Sequence, residues 1–402
     1  MSRAIDVAVI GGGIVGTATA AFLAARGATV TLYEREALAA GASGRNSGVI
    51  QHPFDPVLVP LYEETVRLYR AIQDEIGARI AAFDVAPAGL LLVSHTAAVV
   101  RALATELAPA FPRLHPTALE GAALHELEPA LAPDVAACHF DMGYPVVPSA
   151  PTYAFATMAE RRGVAIRLGR AAMPAFDQAR CIGVQVEGRL EPAGAVVVAA
   201  GPWTPAIVDP TGTWRPIVPR WGVVVETLLA DPPRHPMEEA EMDEALGTGE
   251  AAAHHDDVEL ADGHEHGTDP EPEFSLITAA GASAVGSTFL AREPSPPDWT
   301  ERLLERAVTF VPGILDAPIR EVRACARPAS IDSHPIVGAV PWAEGLYVAA
   351  GHGPWGISTG PASARQVADL VLGRRPVIDP AFSAGRFGMP NIPAARAAKM
   401  EP

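Results

Sequence analysis

Three glycines close to the start of the chain are the first residues whose types and spacing could do chemistry. Gly11, Gly13 and Gly16 form the pattern G-x-G-x-x-G. Its first glycine permits a tight turn, its second lets the backbone approach a pyrophosphate, and its third lets a helix pack closely on a strand. Glu34 follows at a distance that suits hydrogen bonds to ribose hydroxyls. The spacing predicts a dinucleotide site, and the alternative is a glycine-rich turn that serves packing only.

The elements around these glycines are those that dinucleotide binding requires. Apolar runs predict strands over 4–10 and 29–33, and an alanine-rich segment between them predicts a helix over 17–26 that ends at Gly27. The order strand, glycine turn, helix, strand aims the helix N-terminus and its free N–H groups at the phosphates.

The apolar periodicity of the rest of the chain predicts both strand–helix units and antiparallel strands. Further helices are predicted over 55–76, 148–161 and 357–372, and further strands over 89–94, 164–168, 194–200, 216–228, 274–279, 284–289 and 346–350. Strand–helix units lie towards both ends and antiparallel strands lie between them. We therefore expect an α/β protein with a discontinuous Rossmann-like domain and an inserted substrate domain that has a mixed or antiparallel sheet.

Composition and charge exclude several classes of protein. Hydrophobic residues make up 49% of the 402 residues and charged residues 19%, which is unlike a disordered chain. No apolar run approaches the roughly 18 residues of a membrane span, no signal peptide is evident, and no basic patch indicates nucleic acid binding. Three cysteines fit a reducing compartment, so we expect a soluble, cytoplasmic protein.

Most of the net charge of −17 comes from one segment. Residues 231–273 contain 15 acidic residues and one arginine, and five of the twelve histidines lie among them. We interpret 232–272 as a solvated, flexible acidic insert. The histidines and carboxylates also allow divalent metal or partner binding as an alternative, although their spacing matches no closed metal site.

Three segments resemble the D-amino-acid oxidase superfamily, the group that includes glycine oxidase, sarcosine oxidase and L-2-hydroxyglutarate dehydrogenase. The run GASGRNSGVI at 41–50 resembles the flavin-contacting loop of that family. The run VVVAAGPW at 196–203 resembles its middle FAD strand, and GLYVAAGHGPWGISTGP at 345–361 resembles its closing motif. The resemblance spans nearly the whole chain in the family order and implies an FAD-dependent oxidoreductase.

The resemblance also implies which residues contact FAD and how the chain divides. The implied FAD-binding domain comprises 1–82, 145–214 and 322–402, and the implied substrate domain comprises 83–144 and 215–321. The expected FAD contacts, from the glycine turn to the closing motif, are Gly11, Gly13, Ile14, Val15, Gly16, Glu34, Arg35, Ser43, Gly44, Arg45, Asn46, Ser47, Gly48, Val49, Gly201, Trp203, Cys325, Gly351, Gly353, Gly356, Ile357, Ser358 and Thr359.

An arginine and a cysteine in one later segment have roles implied by relatives. Glycine-oxidase-like members carry an Arg-Pro at the position of Arg327, and that arginine binds the substrate carboxylate through its planar fork. The alternative is a surface salt bridge. Cys325 matches the cysteine that bonds covalently to the flavin in sarcosine oxidase. Ionisation of the thiol would be helped by the neighbouring arginines, and the alternative is a small buried hydrophobe.

Histidines near the expected flavin are further candidates for catalysis. His352 lies inside the closing motif, and His52 and His334 are the remaining candidates; each is alternatively structural. Sarcosine oxidases use a lysine near the flavin for the reaction with oxygen, whereas this chain has Lys399 alone. The electron acceptor is therefore O₂, with another cation in place of lysine, or a different acceptor.

The resemblance predicts oxidation of the Cα–N bond of an amino acid or N-alkyl amino acid by hydride transfer to flavin N5. Arg327 would bind the carboxylate. A 2-hydroxy-acid dehydrogenase of the same fold is the nearest alternative, because the 46–50 segment also resembles L-2-hydroxyglutarate dehydrogenase. The sequence is also compatible with an NAD-dependent dehydrogenase, and with a metal- or partner-binding protein that acts through the acidic insert.

Overall fold

The computed structural model describes residues 6–83, 85–241, 270–374 and 378–390. Within these ranges the helices are α1 (Ile14–Ala25), α2 (Ala42–Arg45), α3 (Val59–Ile76), α4 (Ala97–Ala110), α5 (Gly121–Leu127), α6 (Ala150–Arg161), α7 (Thr204–Val208), α8 (Pro296–Phe310) and α9 (Gly356–Val371). None of these helices is long and apolar enough to cross a membrane.

The strands of the same ranges form four sheets. They are β1 (Asp6–Ile10), β2 (Thr29–Tyr33), β3 (Val49–Ile50), β4 (Leu90–Ser94), β5 (Thr117–Leu119), β6 (Ala136–Phe140), β7 (Tyr144–Pro145), β8 (Ala165–Arg167), β9 (Ala172–Asp177), β10 (Arg180–Val186), β11 (Arg189–Pro192), β12 (Ala195–Val198), β13 (Ile217–Thr227), β14 (Met237–Glu239), β15 (Ser275–Ala279), β16 (Ala282–Gly286), β17 (Ile319–Ser330), β18 (Ile336–Ala339) and β19 (Leu346–Ala350).

The first large sheet has the order β18-β19-β12-β1-β2-β8 and is parallel except for β18. Val7 and Val9 pack into a core with α1, α3, α6 and α9, whereas Ala8 and Ile10 pack into a second core on the opposite face. Both faces are therefore buried, which explains why its strands are apolar runs without alternation.

The second large sheet has the order β17-β13-β16-β15-β14-β4-β6-β5. Its pairs are antiparallel except β14 with β4, which is parallel. Val223, Val225 and Met237 face a core shared with α8. A parallel sheet and a mixed sheet thus lie in one α/β chain, as predicted, and the predicted fold class is confirmed.

The boundaries of several segments differ from the predictions. The helix predicted from 55 begins at Val59, because Asp55 forms a turn in which its carboxylate accepts from Val57 N at 2.8 Å. The strand predicted over 284–289 is β16, which ends at Gly286. The predicted junction at 321/322 falls inside β17, which pairs with β13 from Ile319 to Ser330.

The predicted acidic insert 232–272 is partly built into the second sheet. Met237 is fully buried in β14, between β4 and β15, so the expectation of a flexible segment is wrong for 237–239. His235 is also buried, and its Nδ1 lies 2.9 Å from a carboxylate oxygen of Glu128. His254, His255, His264 and His266 lie outside the described residues.

Candidate active site

The glycine turn joins β1 to α1 and has no space for side chains. Gly11 has φ of +118°, and a Cβ atom there would lie 2.3 Å from the Ala199 carbonyl oxygen. A Cβ atom on Gly16 would lie 1.9 Å from the Gly11 carbonyl oxygen. At Gly13 it would lie 3.0 Å from Ser43 Oγ. Gly11 and Gly16 therefore require glycine, whereas a Cβ atom at Gly13 would require a small shift of the Ser43 side chain; a backbone without side chains can approach a phosphate.

Glu34 lies directly beneath this turn. One of its carboxylate oxygens accepts from Gly12 N at 2.6 Å, and the other accepts from Glu36 N at 2.8 Å. Each carboxylate oxygen has a second lone pair, so Glu34 can still accept from a ribose hydroxyl while it orients the turn.

Arg35 and Trp203 form the rim of the cleft above the glycine turn. The Arg35 guanidinium carbon lies 4.1 Å from the centre of the Trp203 ring, in cation–π geometry. Gly201, with φ of +56°, begins the single helical turn that presents this tryptophan. The structure thus brings together two distant residues that the family motifs suggested.

The 43–49 loop packs against the start of α1. Ser43 Oγ accepts from Ile14 N at 3.0 Å. The Asn46 side chain closes the loop internally, because Nδ2 donates to Ala42 O at 2.8 Å and Oδ1 accepts from Gly48 N at 2.9 Å. The loop is therefore fixed before any ligand arrives.

A buried arginine, Arg323, which the sequence suggested only as a cation beside Cys325, attaches this loop to β17. Arg323 is 8% exposed and pairs with Glu226 at 2.7 Å. It also donates to the backbone carbonyls of Arg45 and Asn46, each at 3.3 Å. The Arg323 side chain therefore fixes the relative position of the loop and the second sheet.

The closing motif runs from β19 through a tight turn into α9. Gly351 and Gly353 have φ of +79° and +52°. Ser358 Oγ accepts from Gln51 N at 2.9 Å, and Ile357 O accepts from the Tyr69 hydroxyl at 2.7 Å. The α9 N-terminus and its positive dipole end are thus held towards the cleft lined by Gly356 and Ile357.

One cleft of about 650 Å³ connects the glycine turn to the closing motif. Many of the predicted residues line it, namely Gly11, Gly13, Ile14, Val15, Glu34, Arg35, Ser43, Arg45, Asn46, Gly201, Trp203, Cys325, Arg327, His352, Gly353, Gly356 and Ile357. Gly16, Gly44, Gly351 and Thr359 do not line it and instead support its wall.

A smaller cavity of about 100 Å³ adjoins the cleft, and Asn46, Cys325, Arg327 and Ile357 line both. The predicted residues Ser47, Gly48, Val49 and Ser358 line this cavity. Two further lining residues, Pro354 and Trp355, belong to the closing motif at 345–361. Sequence reasoning missed the remaining ones, which are Gln51, Val224, Glu238, Ser275, Ser287 and Phe289. Strand alternation alone could have placed Glu238 opposite the buried Met237, but β14 was not predicted.

Arg327 on β17 is positioned by the segment that follows β16 and by Gly222 on β13. Its Nη1 donates to Thr288 O at 2.8 Å, and its guanidinium lies 4.5 Å from the centre of the Phe289 ring. Gly222 leaves room for it, because a Cβ atom there would lie 2.5 Å from Nη1. With five donors in a guanidinium, Arg327 can offer further N–H groups to a carboxylate.

The structure separates the three candidate histidines. His352 lines the cleft, is 2% exposed, and its Nε2 has no hydrogen-bond partner in the described part of the chain. Burial lowers the pKa of His352 to about 4, so it is neutral at pH 7. His52 instead packs against Tyr62 and Phe111 and lines neither cavity.

His334 forms an ion pair, whereas Cys325 is buried at the wall of both cavities. The Nε2 atom of His334 lies 2.9 Å from an Asp55 carboxylate oxygen, which raises its pKa and indicates a structural ion pair. Cys325 is 4% exposed at the wall of both cavities. Burial raises the pKa of the Cys325 thiol, although the charges of Arg327, Arg323 and Arg45 act in the opposite direction.

The profile of the FAD dependent oxidoreductase (DAO) family matches residues 6–370. The chain belongs to this family. The prediction of FAD as cofactor is thereby confirmed over that of NAD. Two observations on the cleft fit FAD: the turn at Gly11 and Gly16 admits no side chain, and the buried Nε2 of His352 has no partner among the described residues.

Individual members of the DAO family are similar to this chain at low identity. An uncharacterised oxidoreductase, YurR, of Bacillus subtilis is 28% identical over 65% of the chain and 64% of its own length. A glycine oxidase of Pseudomonas aeruginosa is 31% identical over 50% and 46%. The matches thus span about half to two thirds of these curated relatives.

A crystal structure of glycine oxidase from Geobacillus kaustophilus is similar over almost the whole chain. The TM-score is 0.77 at 23% identity, with 96% of this chain and 99% of that chain covered. At this identity the likeness shows the fold, which agrees with the two large sheets described above.

Proposed function

We propose that this member of the DAO family oxidises the Cα–N bond of an amino acid or N-alkyl amino acid. The observation that carries the proposal is the position of Arg327, whose guanidinium lines both the cleft that fits FAD and the adjoining cavity. A carboxylate bound there would lie beside the cofactor. The similarity to proteins named glycine oxidase supports an amino acid as substrate.

Arg327 would bind the substrate carboxylate through two parallel hydrogen bonds. Phe289 supports the guanidinium from one side and Thr288 O fixes one nitrogen, so little side-chain freedom is lost on binding. The cavity of about 100 Å³ accommodates the rest of a small substrate.

FAD, when bound, supplies the acceptor for the hydride that leaves the substrate carbon. Gly11 and Gly13 would hold its pyrophosphate, Gly16 would keep α1 close to the turn, and Glu34 would hold its ribose. The α9 N-terminus favours negative charge in its neighbourhood. His352 remains neutral beside it because of burial, so it can exchange a hydrogen bond without adding charge.

The experiment that tests the proposal is anaerobic mixing of the purified flavoprotein with D-, L- and N-methyl amino acids and with 2-hydroxy acids. Bleaching of the flavin absorbance by amino acids supports Cα–N oxidation. Bleaching by 2-hydroxy acids alone would reject it in favour of a 2-hydroxy-acid dehydrogenase. The low pKa of His352 makes this residue a poor base for an alcohol substrate.

The electron acceptor and the cellular location remain predictions. The sequence has no lysine before Lys399, and Arg45 is a cation on the cleft wall that could take the place of lysine towards O₂. Reoxidation rates with O₂ and with an artificial quinone would distinguish an oxidase from a dehydrogenase. The cytoplasmic location predicted from the sparse cysteines awaits fractionation.

The role of the acidic insert also remains a prediction. Most of its histidines lie outside the described residues, and no group of three or more metal-binding side chains forms within the described ones. Deletion of 242–269, which leaves β14 intact, would test metal or partner binding by this segment. Unchanged turnover after the deletion would show that the segment is not needed for catalysis.

A further inference from the structure

The 100 Å³ cavity has two opposite charges on its wall. Glu238 is on β14 and Arg327 is on β17, and both side chains line this space. Met237, next to Glu238, is fully buried in the core beneath the sheet, so strand alternation turns Glu238 to the cavity side. The Cys325 thiol also lies on this wall.

Glu238 is held in place by a neutral partner. Gln51 Nε2 donates to a Glu238 carboxylate oxygen at 3.1 Å, and Gln51 itself is 3% exposed. The backbone N–H of Gln51 donates to Ser358 Oγ in the first turn of α9. This chain of contacts fixes the carboxylate relative to the closing motif.

Neighbouring groups offset only part of the free-energy cost of burying the Glu238 carboxylate. Burial raises the pKa of Glu238 to about 7, even though the Gln51 hydrogen bond and the charge of Arg327 lower it. A buried carboxylate without a close cation is costly. The cost is removed if a cation enters the cavity beside it.

An α-amino acid has the charge pattern that complements this wall, because it carries a carboxylate and an ammonium group on one carbon. A 2-hydroxy acid matches Arg327 equally well, but it offers Glu238 only a neutral hydroxyl. The volume of about 100 Å³ suits an amino acid with a short side chain.

We propose that Glu238 binds the amino group of a small α-amino acid whose carboxylate is held by Arg327, and that Glu238 accepts the ammonium proton. In that step one N–H bond of the substrate breaks and one O–H bond forms on Glu238. The products are a neutral amine and a carboxylic acid, and the amine lone pair then favours departure of the hydride. This inference rests on the proposed function and narrows its substrate class.

The test compares ligands that differ only in the amino group. Holoenzyme is titrated with acetate and propionate, which perturb the flavin absorbance without reacting. The apparent affinities of glycine and of both enantiomers of alanine come from the anaerobic rate of flavin reduction. The variants are E238Q and, as a matched control, E241Q, since Glu241 is exposed and outside the cavity.

In E238Q we expect the affinity for the reactive amino acid to fall by about 30-fold, the loss of a charge-assisted hydrogen bond. The affinity for acetate and propionate should stay the same or increase, because a like charge is removed. E241Q should behave as the wild type. A purely structural role for Glu238 would weaken both ligand classes together.

A measurement on the wild type keeps the test decisive if E238Q does not fold. As pH falls below about 7, Glu238 takes up its proton, and the preference for amino acid over amine-free carboxylate should decline. If amino acids reduce the flavin but neither E238Q nor low pH changes the preference, the inference is overturned and the proposed function stands. If 2-hydroxy acids alone reduce the flavin, both are overturned.

Discussion

The guanidinium of Arg35 lies 4.1 Å from the centre of the Trp203 ring, in the cleft that the glycine turn also lines. The tryptophan side chain is 40% exposed. The pair joins the end of the second strand of the nucleotide-binding unit to the motif that follows β12. It therefore forms a flat cationic surface beside the site expected for the nucleotide half of FAD.

Replacing Arg35 should weaken FAD binding without unfolding the protein. We expect R35A to raise the FAD dissociation constant by about 2- to 5-fold, the equivalent of one exposed cation–π contact. Titration of flavin-free protein with FAD, followed by tryptophan fluorescence, measures this change. The matched control is R302A, because Arg302 lies 4.3 Å from the Trp299 ring outside the cleft. Equal effects of the two variants would contradict the role of Arg35.

Adding one methyl group at Gly16 should prevent the protein from binding FAD. A Cβ atom there would lie 1.9 Å from the Gly11 carbonyl oxygen, so α1 must move away from the turn. We expect G16A to purify without flavin absorbance. G313A is the control, because a Cβ atom at Gly313 would lie 3.9 Å from its nearest neighbour. A yellow G16A protein with wild-type circular dichroism would refute the prediction.

Replacing Arg327 should reduce kcat/KM on amino acids. We expect R327A to lose about 10- to 150-fold, the range for a charged hydrogen bond. R327K should recover only part, since lysine lacks the planar fork. R101A is the control, because Arg101 forms an exposed ion pair with Glu120 away from both cavities, and such pairs contribute little. Unchanged kcat/KM in R327A would show that the substrate carboxylate does not bind to Arg327.

Acid precipitation should release the flavin from the protein. Burial raises the pKa of the Cys325 thiol, which disfavours the thiolate that covalent attachment needs. We therefore expect FAD in the supernatant and similar FAD content in C325A. Flavin that stays with the wild-type pellet but not with C325A would establish covalent attachment through Cys325 instead.

His352 should make stability depend on pH in the acidic range. Burial lowers the pKa of His352 from 6.5 to about 4. Between these pH values the histidine is protonated in the unfolded state and neutral in the folded state. The contribution of His352 to the free energy of unfolding is therefore highest above pH 6.5. It falls by about 3 kcal/mol in total as the pH is lowered towards 4.

The measurement for this prediction is chemical denaturation of wild type and H352N at pH 7.5 and 5, at one FAD concentration. The stability difference between the two proteins should shrink at pH 5, because asparagine does not titrate. His52, whose pKa is also lowered by burial, is present in both proteins and cancels. A difference that is equal at both pH values would show that His352 titrates normally.

The nucleotide-binding half of the site could be predicted from the sequence because its chemistry is local. Gly11, Gly16 and Glu34 lie within one strand–helix–strand unit, whose backbone geometry follows from residue type and spacing. The strands β12 and β19 could also be predicted, because strands that are buried on both faces are continuous apolar runs.

The substrate half could not be predicted in the same way. Glu238 is on a three-residue strand inside a segment whose composition indicates a solvated loop, and its partner Gln51 comes from the other end of the chain. Arg323 likewise owes its role to Glu226 and to two carbonyl groups of a distant loop. Such contacts depend on tertiary register, which residue spacing does not encode.

One close contact couples the two ends of the sequence. A Cβ atom on Gly360 in α9 would lie 3.0 Å from the Val15 side chain in α1, so the two helices whose N-termini meet the cleft press directly on each other. Translation makes the glycine turn on one wall of the cleft well before the closing motif at 345–361 on the other. A nascent chain that has emerged as far as β17 therefore has a glycine turn but no closing motif, and we expect cofactor capture to wait until α9 has also emerged from the ribosome.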